Sequence, residues 1–303
     1  MNTNFNTQIS KKYIFIINPT VSLNIKKTGF GNFYISYSEN NILPEINQLT
    51  SNSQLIDYRN FLKGTVYNKP IKNSISTFTY YYYNDNKRFS INTNLFYVKS
   101  YSILSAESTL TNDFNFTVYK QTNGGESYNF HFSFVNYIRK LKIASKIETT
   151  QIWASMPINA NSNEFSQAKS YNNTLKYSAT TYFKIPINFD CGFTYNYNQS
   201  IFNNIISNNA AKDVFVNIIY AVSKTWLAEF NNCFFYVNKQ NYSFNNIVVN
   251  YNPTESHFSY RLLFNNINNE KEYTFINSSN YTYYKSSINI VPRYLLCTVK
   301  YRF

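Results

Sequence analysis

The chain has 303 residues, with 28 Lys and Arg against 15 Asp and Glu, and with 30 Tyr and 27 Phe against only 6 Gly and 7 Pro. Its apolar runs, such as Tyr13–Ile17 and Cys233–Val237, extend over five residues, far below the ~18 that a membrane-spanning helix needs, so helical spans are excluded. Disorder is excluded too, because disordered chains are poor in the aromatic and β-branched residues that abound here.

Scarce Ala with abundant Tyr, Phe, Ile, Thr and Val favours strands over helices. At the N-terminus, Lys11 and Lys12 precede Tyr13–Ile17 in the manner of a secretory signal. The apolar stretch is too short, however, and Asn18-Pro19 interrupts it without a small-residue cleavage site. For a secreted or outer-membrane product, that would mean a chain recorded without its true beginning.

Strands are expected over 13–26, 31–39, 72–84, 88–104, 124–138, 140–154, 169–184, 187–199, 212–222, 226–237, 242–252, 257–268 and 290–303. Period-two alternation defines them. From Ile187 to Asn198, for example, Phe189, Cys191, Phe193, Tyr195 and Tyr197 alternate with Asn188, Asp190, Gly192, Thr194 and Asn196. Between Ser170 and Lys184, Tyr171, Leu175 and Tyr177 oppose Asn172, Thr174 and Lys176, and after His257, Phe258, Tyr260 and Leu262 oppose Ser259 and Arg261. Charge falls on the second face. A cation on a lipid face near the bilayer midplane costs about 2–4 kcal/mol, so this sorting is what a barrel wall requires.

A soluble sandwich also alternates, but many of these runs exceed ten residues, where globular strands average ~5–6 and membrane-spanning ones need ~9–11. Connections are read as tight at 27–30, 84–87, 139, 185–186, 223–225 and 253–256, and as long at 40–71, 105–123, 155–168, 200–211 and 269–289, with 238–241 a short exception. Such alternation marks outer-membrane barrels, which turn tightly on the periplasmic side. Thirteen strands is an odd number where even counts are usual, which favours a partial, open barrel. The fold class expected is therefore an all-β, antiparallel up-and-down transmembrane β-barrel of about thirteen strands.

The final stretch alternates to its end, with Leu295, Cys297, Val299, Tyr301 and Phe303 on one face. An aromatic terminus with Tyr301 and Val299 before it resembles the assembly signal read by the outer-membrane barrel assembly machinery, where an extended edge is recognised by strand addition. Further residues widen the likeness: Asn265-Asn266-Ile267 and Pro292-Arg293-Tyr294 near the end, and Asn18-Pro19-Thr20-Val21-Ser22-Leu23, the Thr28-Gly29 turn and Ile42-Leu43-Pro44-Glu45-Ile46 upstream. In order and spacing the chain resembles the C-terminal barrel portion of TonB-dependent receptors and related outer-membrane β-barrel proteins of Bacteroidota. Departures are visible. Glu39–Glu45 stands where that family usually opens its mid-barrel loop with Arg residues and Pro-Ser, and neither a plug domain nor a TonB-contacting box is found. The resemblance implies residues 1–303 as the C-terminal part of such a barrel, without its N-terminal strands, plug and signal peptide.

Catalytic constellations do not emerge. His131 and His257 are the only histidines, and each reads as a solvated wall residue. Ser133 shares a face with His131, but no polar orienter completes a nucleophilic triad. Gly124-Gly125 lacks the Lys-Ser/Thr of a phosphate loop. Cys191, Cys233 and Cys297 form no CxxC and read as small strand fillers. The basic balance is dispersed, which fits a solvated channel wall or contact with lipopolysaccharide better than nucleic acid.

The function expected is thus the wall of a TonB-dependent-receptor-like uptake channel in the Gram-negative outer membrane, not an enzyme and with no cofactor. Lys176, Asp190, Arg261 and His131 are the lumen-facing candidates, and Tyr301, Phe303 and Val299 the assembly signal. Expected partners are outer-membrane lipid, the assembly machinery, an absent plug domain with TonB, and an unidentified small solute. The alternatives are a complete porin-like barrel of 12 or 14 strands and a soluble, carbohydrate-binding β-sheet adhesin.

Overall fold

The computed structural model describes residues 15–65, 70–111, 113–160, 166–237, 240–254, 256–278 and 283–302. In chain order the strands are β1 (Thr20–Lys27), β2 (Gly31–Ile42), β3 (Ser53–Asp57), β4 (Asn60–Lys63), β5 (Ile71–Asn84), β6 (Phe89–Ser100), β7 (Ser102–Leu110), β8 (Asn115–Asn123), β9 (Glu126–Ile138) and β10 (Ile143–Ala160). They continue with β11 (Ser166–Thr181), β12 (Ile187–Phe202), β13 (Ile205–Ala221), β14 (Trp226–Val237), β15 (Gln240–Tyr251), β16 (Phe258–Asn265), β17 (Glu272–Ser278), β18 (Tyr283–Asn289) and β19 (Tyr294–Tyr301). One helical turn, α1 (Ile46–Leu49), precedes β3.

Thirteen of these strands form one antiparallel up-and-down sheet in the order β1-β2-β5-β6-β9-β10-β11-β12-β13-β14-β15-β16-β19. They correspond one for one to the thirteen expected from alternation. The sheet is open: among the described residues no register joins β1 to β19.

One rim is short throughout. Its turns are 28–30, 85–88, 139–142, 182–186, 222–225 and 252–257. Gly31, which follows the first of them, has φ 92°, and a Cβ there would stand 2.6 Å from the Tyr81 carbonyl oxygen, so only glycine fits. The other rim is tall, and two expectations are corrected here. Residues 200–211 are not a loop, because β12 and β13 run on to a two-residue turn at Asn203-Asn204, with φ 48° and 63°. Positive φ at both central residues suits the right-handed twist of a hairpin, and Asn tolerates it. Likewise β10 and β11 extend through most of 155–168.

Three long connections carry strands that alternation did not reveal. Hairpins β3–β4 and β7–β8 join through a parallel β4–β8 pairing, and β7 pairs with the far end of β10, so a smaller sheet stands on the tall rim. Hairpin β17–β18 rises from the last connection. At their ends the predicted strands are trimmed: β1 begins at Thr20, after Pro19, and β19 at Tyr294, after Pro292, consistent with the N–H that proline cannot donate. Residues 13–14 and Phe303 lie outside the described residues.

Little of a packed core is found among the described residues. The accessible surface is 20852 Å², against about 13,000 Å² for a compact monomer of this mass. Among the described residues the buried aliphatic and aromatic side chains are Ala168, Phe202, Val237, Tyr242 and Val248. All five share the phase of the polar face, so the aromatics of the other face do not fill a dry interior.

Candidate functional site: two sorted faces and an aromatic boundary

Residues directly opposite in an antiparallel ladder share a face, so the registers trace each face across the sheet. On the apolar face, Tyr177 lies opposite Phe193, which lies opposite Val214 and then Phe234. On the polar face, Asn94, His131, Thr150, Thr174 and Asn196 form a continuous row over five strands. Within it His131 Nδ1 lies 3.0 Å from Thr150 Oγ1, and Thr174 Oγ1 donates to Asn196 Oδ1 at 2.9 Å.

The predicted lumen candidates all lie on this polar face. Lys176 stands opposite Glu148 and Thr194, and Glu148 pairs with Lys146 at 2.6 Å. Asp190 accepts from Thr180 Oγ1 at 2.8 Å and from Asn217 Nδ2 at 3.4 Å. Arg261 stands between Asn250 and Thr298 and, with Lys300 and Arg302, lines a groove of about 460 Å³ near the short rim. The four do not converge on one point; they are spread around the wall. His131 and Ser133 share the face, but the partner of His131 is the Thr150 hydroxyl. Among the described residues no three His, Cys, Asp or Glu side chains gather as metal ligands. The three cysteines are free.

Charge is sorted by depth as well as by face. In the thirteen-strand sheet, charged side chains sharing the apolar phase are Lys27 beside the first short turn, and Glu39, Lys72, Lys99, Glu126, Lys169 and Lys212 toward the tall rim. Between these levels the apolar face carries none, while the polar face carries Lys146, Glu148, Lys176, Asp190, Glu229 and Arg261.

Aromatics mark the two levels, a feature that the one-dimensional pattern did not show. Near the tall rim one ladder row contains Tyr37, Ser76, Tyr97, Tyr128, Trp153 and Tyr171. Its Tyr97 and Tyr128 rings stack at 4.5 Å, with Trp153 5.3 Å beyond. Near the short rim Trp226, Tyr251 and Tyr260 follow one another, with ring separations of 4.5 and 6.1 Å. On β14 the face runs from Trp226 through Ala228, Phe230, Asn232 and Phe234 to Tyr236. Ten residues at ~3.3 Å each span about 33 Å along the strand, or about 25 Å across a layer at a ~40° tilt. Lys212 Nζ lies 6.0 Å from the Tyr195 ring centroid and 5.9 Å from that of Tyr236, placing a cation at the upper level.

Some amides interrupt the apolar face. Gln151 stands opposite Asn173, and Asn232 opposite Asn245; the Oδ1 atoms of Asn173, Asn232 and Asn245 are buried without a partner.

Of the expected assembly residues, Val299 and Tyr301 lie on β19, on the apolar face, 55% and 50% exposed. Tyr301 sits 5.0 Å from the Phe258 ring. Among the described residues, β16 is the strand that β19 pairs with. Hairpin β17–β18 folds onto the polar face near the tall rim: the Thr274 N–H donates to Tyr242 Oη at 3.1 Å, and the Tyr273 ring lies 4.9 Å from that of Tyr242. On the rim sheet, Asp57, Tyr58, Arg59, Asp113 and Phe114 line an open cleft of about 500 Å³. The Asp57 carboxylate accepts the backbone N–H of Arg59 at 2.9 Å and of Asn60 at 3.0 Å. The Arg59 N–H above all, and next the Asn60 side-chain amide, which donates at 2.6 Å, hold its carboxyl below the usual carboxylate range.

The chain matches no protein-family model and no curated protein.

Proposed function

We propose that this chain is the lipid-facing wall of a Gram-negative outer-membrane β-barrel, corresponding to the C-terminal part of a solute-uptake channel of the TonB-dependent-receptor type. One observation carries the reading: between the short rim and the tall one the apolar face carries no charge and exposes many aromatics, while the opposite face is charged and few apolar side chains are buried among the described residues. A soluble protein has no use for such a face, since exposed apolar patches beyond a few hundred Å² are rare in monomers. Hydrocarbon covers it at no cost, and the polar face becomes the wall of a hydrated path.

In this reading the tall rim faces outward and collects solute on the β3–β4, β7–β8 and β17–β18 hairpins, while the short turns lie in the periplasm. No catalytic step is involved. Tyr301 and Val299, on the last strand of the open sheet, belong to the extended segment that the assembly machinery would bind by strand addition. The test is fractionation and electrophoresis of the chain expressed in a Gram-negative host. Recovery in the outer membrane, with a mobility that shifts on heating, supports the reading. A chain that remains monodisperse in buffer without detergent overturns it.

A further inference from the structure

Near the short rim, period two sets polar-face side chains of three neighbouring strands side by side. β15 and the residue after it supply Asn250 and Asn252, β16 supplies Ser259 and Arg261, and β19 and the residue after it supply Lys300 and Arg302. All six line the groove of about 460 Å³. Arg261 lies opposite Asn250, and Ser259 lies opposite Lys300. Three strands span ~10 Å and two residues along a strand ~7 Å, so the ends of these side chains can meet on one small ligand.

Two features set the groove apart from an ordinary basic stretch of surface. The first is charge without counter-charge. Among the described residues the ion pairs join Lys72 to Glu39, Lys120 to Glu107 and Lys146 to Glu148, and none of Arg261, Lys300 and Arg302 has a carboxylate partner. Glu229, an acid that reaches the lining, is engaged by Asn250, whose Nδ2 donates to its Oε1 at 3.5 Å. The second feature is Ser259. It is only 7% exposed, and its hydroxyl has no hydrogen-bond partner among the described residues. Sheltered hydroxyls are ordinarily hydrogen-bonded, and this one borders the groove.

We propose that this groove binds a phosphate group, either free or carried on a small ester. A phosphate monoester bears about −1.5 to −2 charges at neutral pH and presents three strong acceptor oxygens. Three cations match that charge, the guanidinium forks of Arg261 and Arg302 match its geometry, and the Ser259 hydroxyl and Asn252 amide add neutral donors. A carboxylate, with one charge and two oxygens, would leave cations unmatched. The volume lies within the ~300–1,000 Å³ of small-molecule sites, so an organic group attached to the phosphate is accommodated too. The polar face is wet with or without a bilayer on the other side, so the binding chemistry stands apart from the membrane reading. That the phosphate belongs to a solute passing along the wall rests on that reading, in which the groove lies at the periplasmic end of the path.

The test is calorimetric titration of inorganic phosphate, methyl phosphate and acetate into the chain at physiological salt, in detergent micelles where the chain needs them and in plain buffer where it does not. Inorganic phosphate is expected to bind saturably and about tenfold or more tightly than acetate. Methyl phosphate binding equally well extends the site to esters, and binding of inorganic phosphate alone restricts it to the free ion. Arg261→Gln and Lys300→Gln should each weaken binding about tenfold, the loss that follows removal of a charged hydrogen-bond donor, and Ser259→Ala should weaken it severalfold. Lys176→Gln, a cation on the same face outside the groove, should leave affinity within about twofold. Should Arg261→Gln fail to fold, the exposed Lys300 and Arg302 carry the comparison. No saturable phosphate binding, equal affinity for acetate, or an equal loss in Lys176→Gln overturns the proposal. None of these results bears on the membrane reading, which fractionation decides. A chain soluble without detergent that still binds phosphate through Arg261 keeps the site and loses only its place on an uptake path.

Discussion

Two neighbours on β12 summarise the contrast between the faces of this sheet: Phe193 is 39% exposed among other aromatics, and Thr194 stands opposite Lys176 and Asp213. In a soluble β-protein the aromatic member of such a pair would be the buried one. Here the five buried aliphatic and aromatic side chains, Ala168, Phe202, Val237, Tyr242 and Val248, share the polar phase. Exposure and hydrophobicity are inverted, and the membrane reading proposed above supplies an apolar solvent in which such an inversion is stable.

The contrast is broken most directly by moving charge between the faces. Phe193→Lys is expected to cost about 2–4 kcal/mol in a bilayer, whereas Thr194→Lys, one residue away, changes stability by no more than about 0.5 kcal/mol. Urea titrations of both variants folded into lipid vesicles make the comparison, and equal costs would mean that the faces are not differently solvated.

A second variant examines close packing on the polar face. A Cβ at Gly192 would stand 2.4 Å from the Tyr177 carbonyl oxygen and 2.7 Å from the Phe215 ring. Gly192→Val should therefore destabilise by about 1–3 kcal/mol, read from the same titrations, and Phe215→Ala in the same chain should recover part of the loss.

The amides on the apolar face give a smaller effect of opposite sign. Asn232 has a buried oxygen without a partner and faces Asn245. If the apolar face lies in lipid as proposed, replacing both by Val is expected to be neutral or to stabilise by up to about 1 kcal/mol, because two poorly satisfied polar groups are removed together. A clear loss of stability would show that the pair holds a partner in the membrane.

The smallest expected effect lies on the rim, in water. The Asp57 carboxyl is held below its ordinary value by the Arg59 N–H and the Asn60 side chain. A lowered folded pKa means that the stabilisation is complete above the unfolded value, about 3.9, and is lost as pH falls through the lower folded value. Hydrogen exchange at the Arg59 and Asn60 amides, compared with the intrinsic rate, should therefore show constant protection from pH 7 to 5 and a loss only below about pH 4. Asp57→Ala should lack that protection throughout, and protection already fading between pH 7 and 5 would contradict the assignment.

Much of this architecture is local in origin. Side chains alternate with period two whatever the neighbouring strand does, so Ile187–Asn198 declared its two faces, and the positions of Lys176, Asp190, Arg261 and His131, before any pairing was known. The short turns were legible for the same reason, through residues such as Thr28-Gly29. Asn203-Asn204 was readable in principle as a hairpin turn but was hidden in a polar stretch that resembles a loop.

What the tertiary structure decided is non-local. The parallel β4–β8 pairing joins Asn60 to Asn115, segments whose own composition is unremarkable, and only their contact builds the rim sheet. The aromatic rows exist because registers align Tyr97, Tyr128, Trp153 and Tyr171, and a one-residue slip in any strand would turn its members to the other face. The like direction of β1 and β19 belongs to neither strand by itself. It follows from the number of strands between them, a property of the assembled sheet that no stretch of sequence encodes alone.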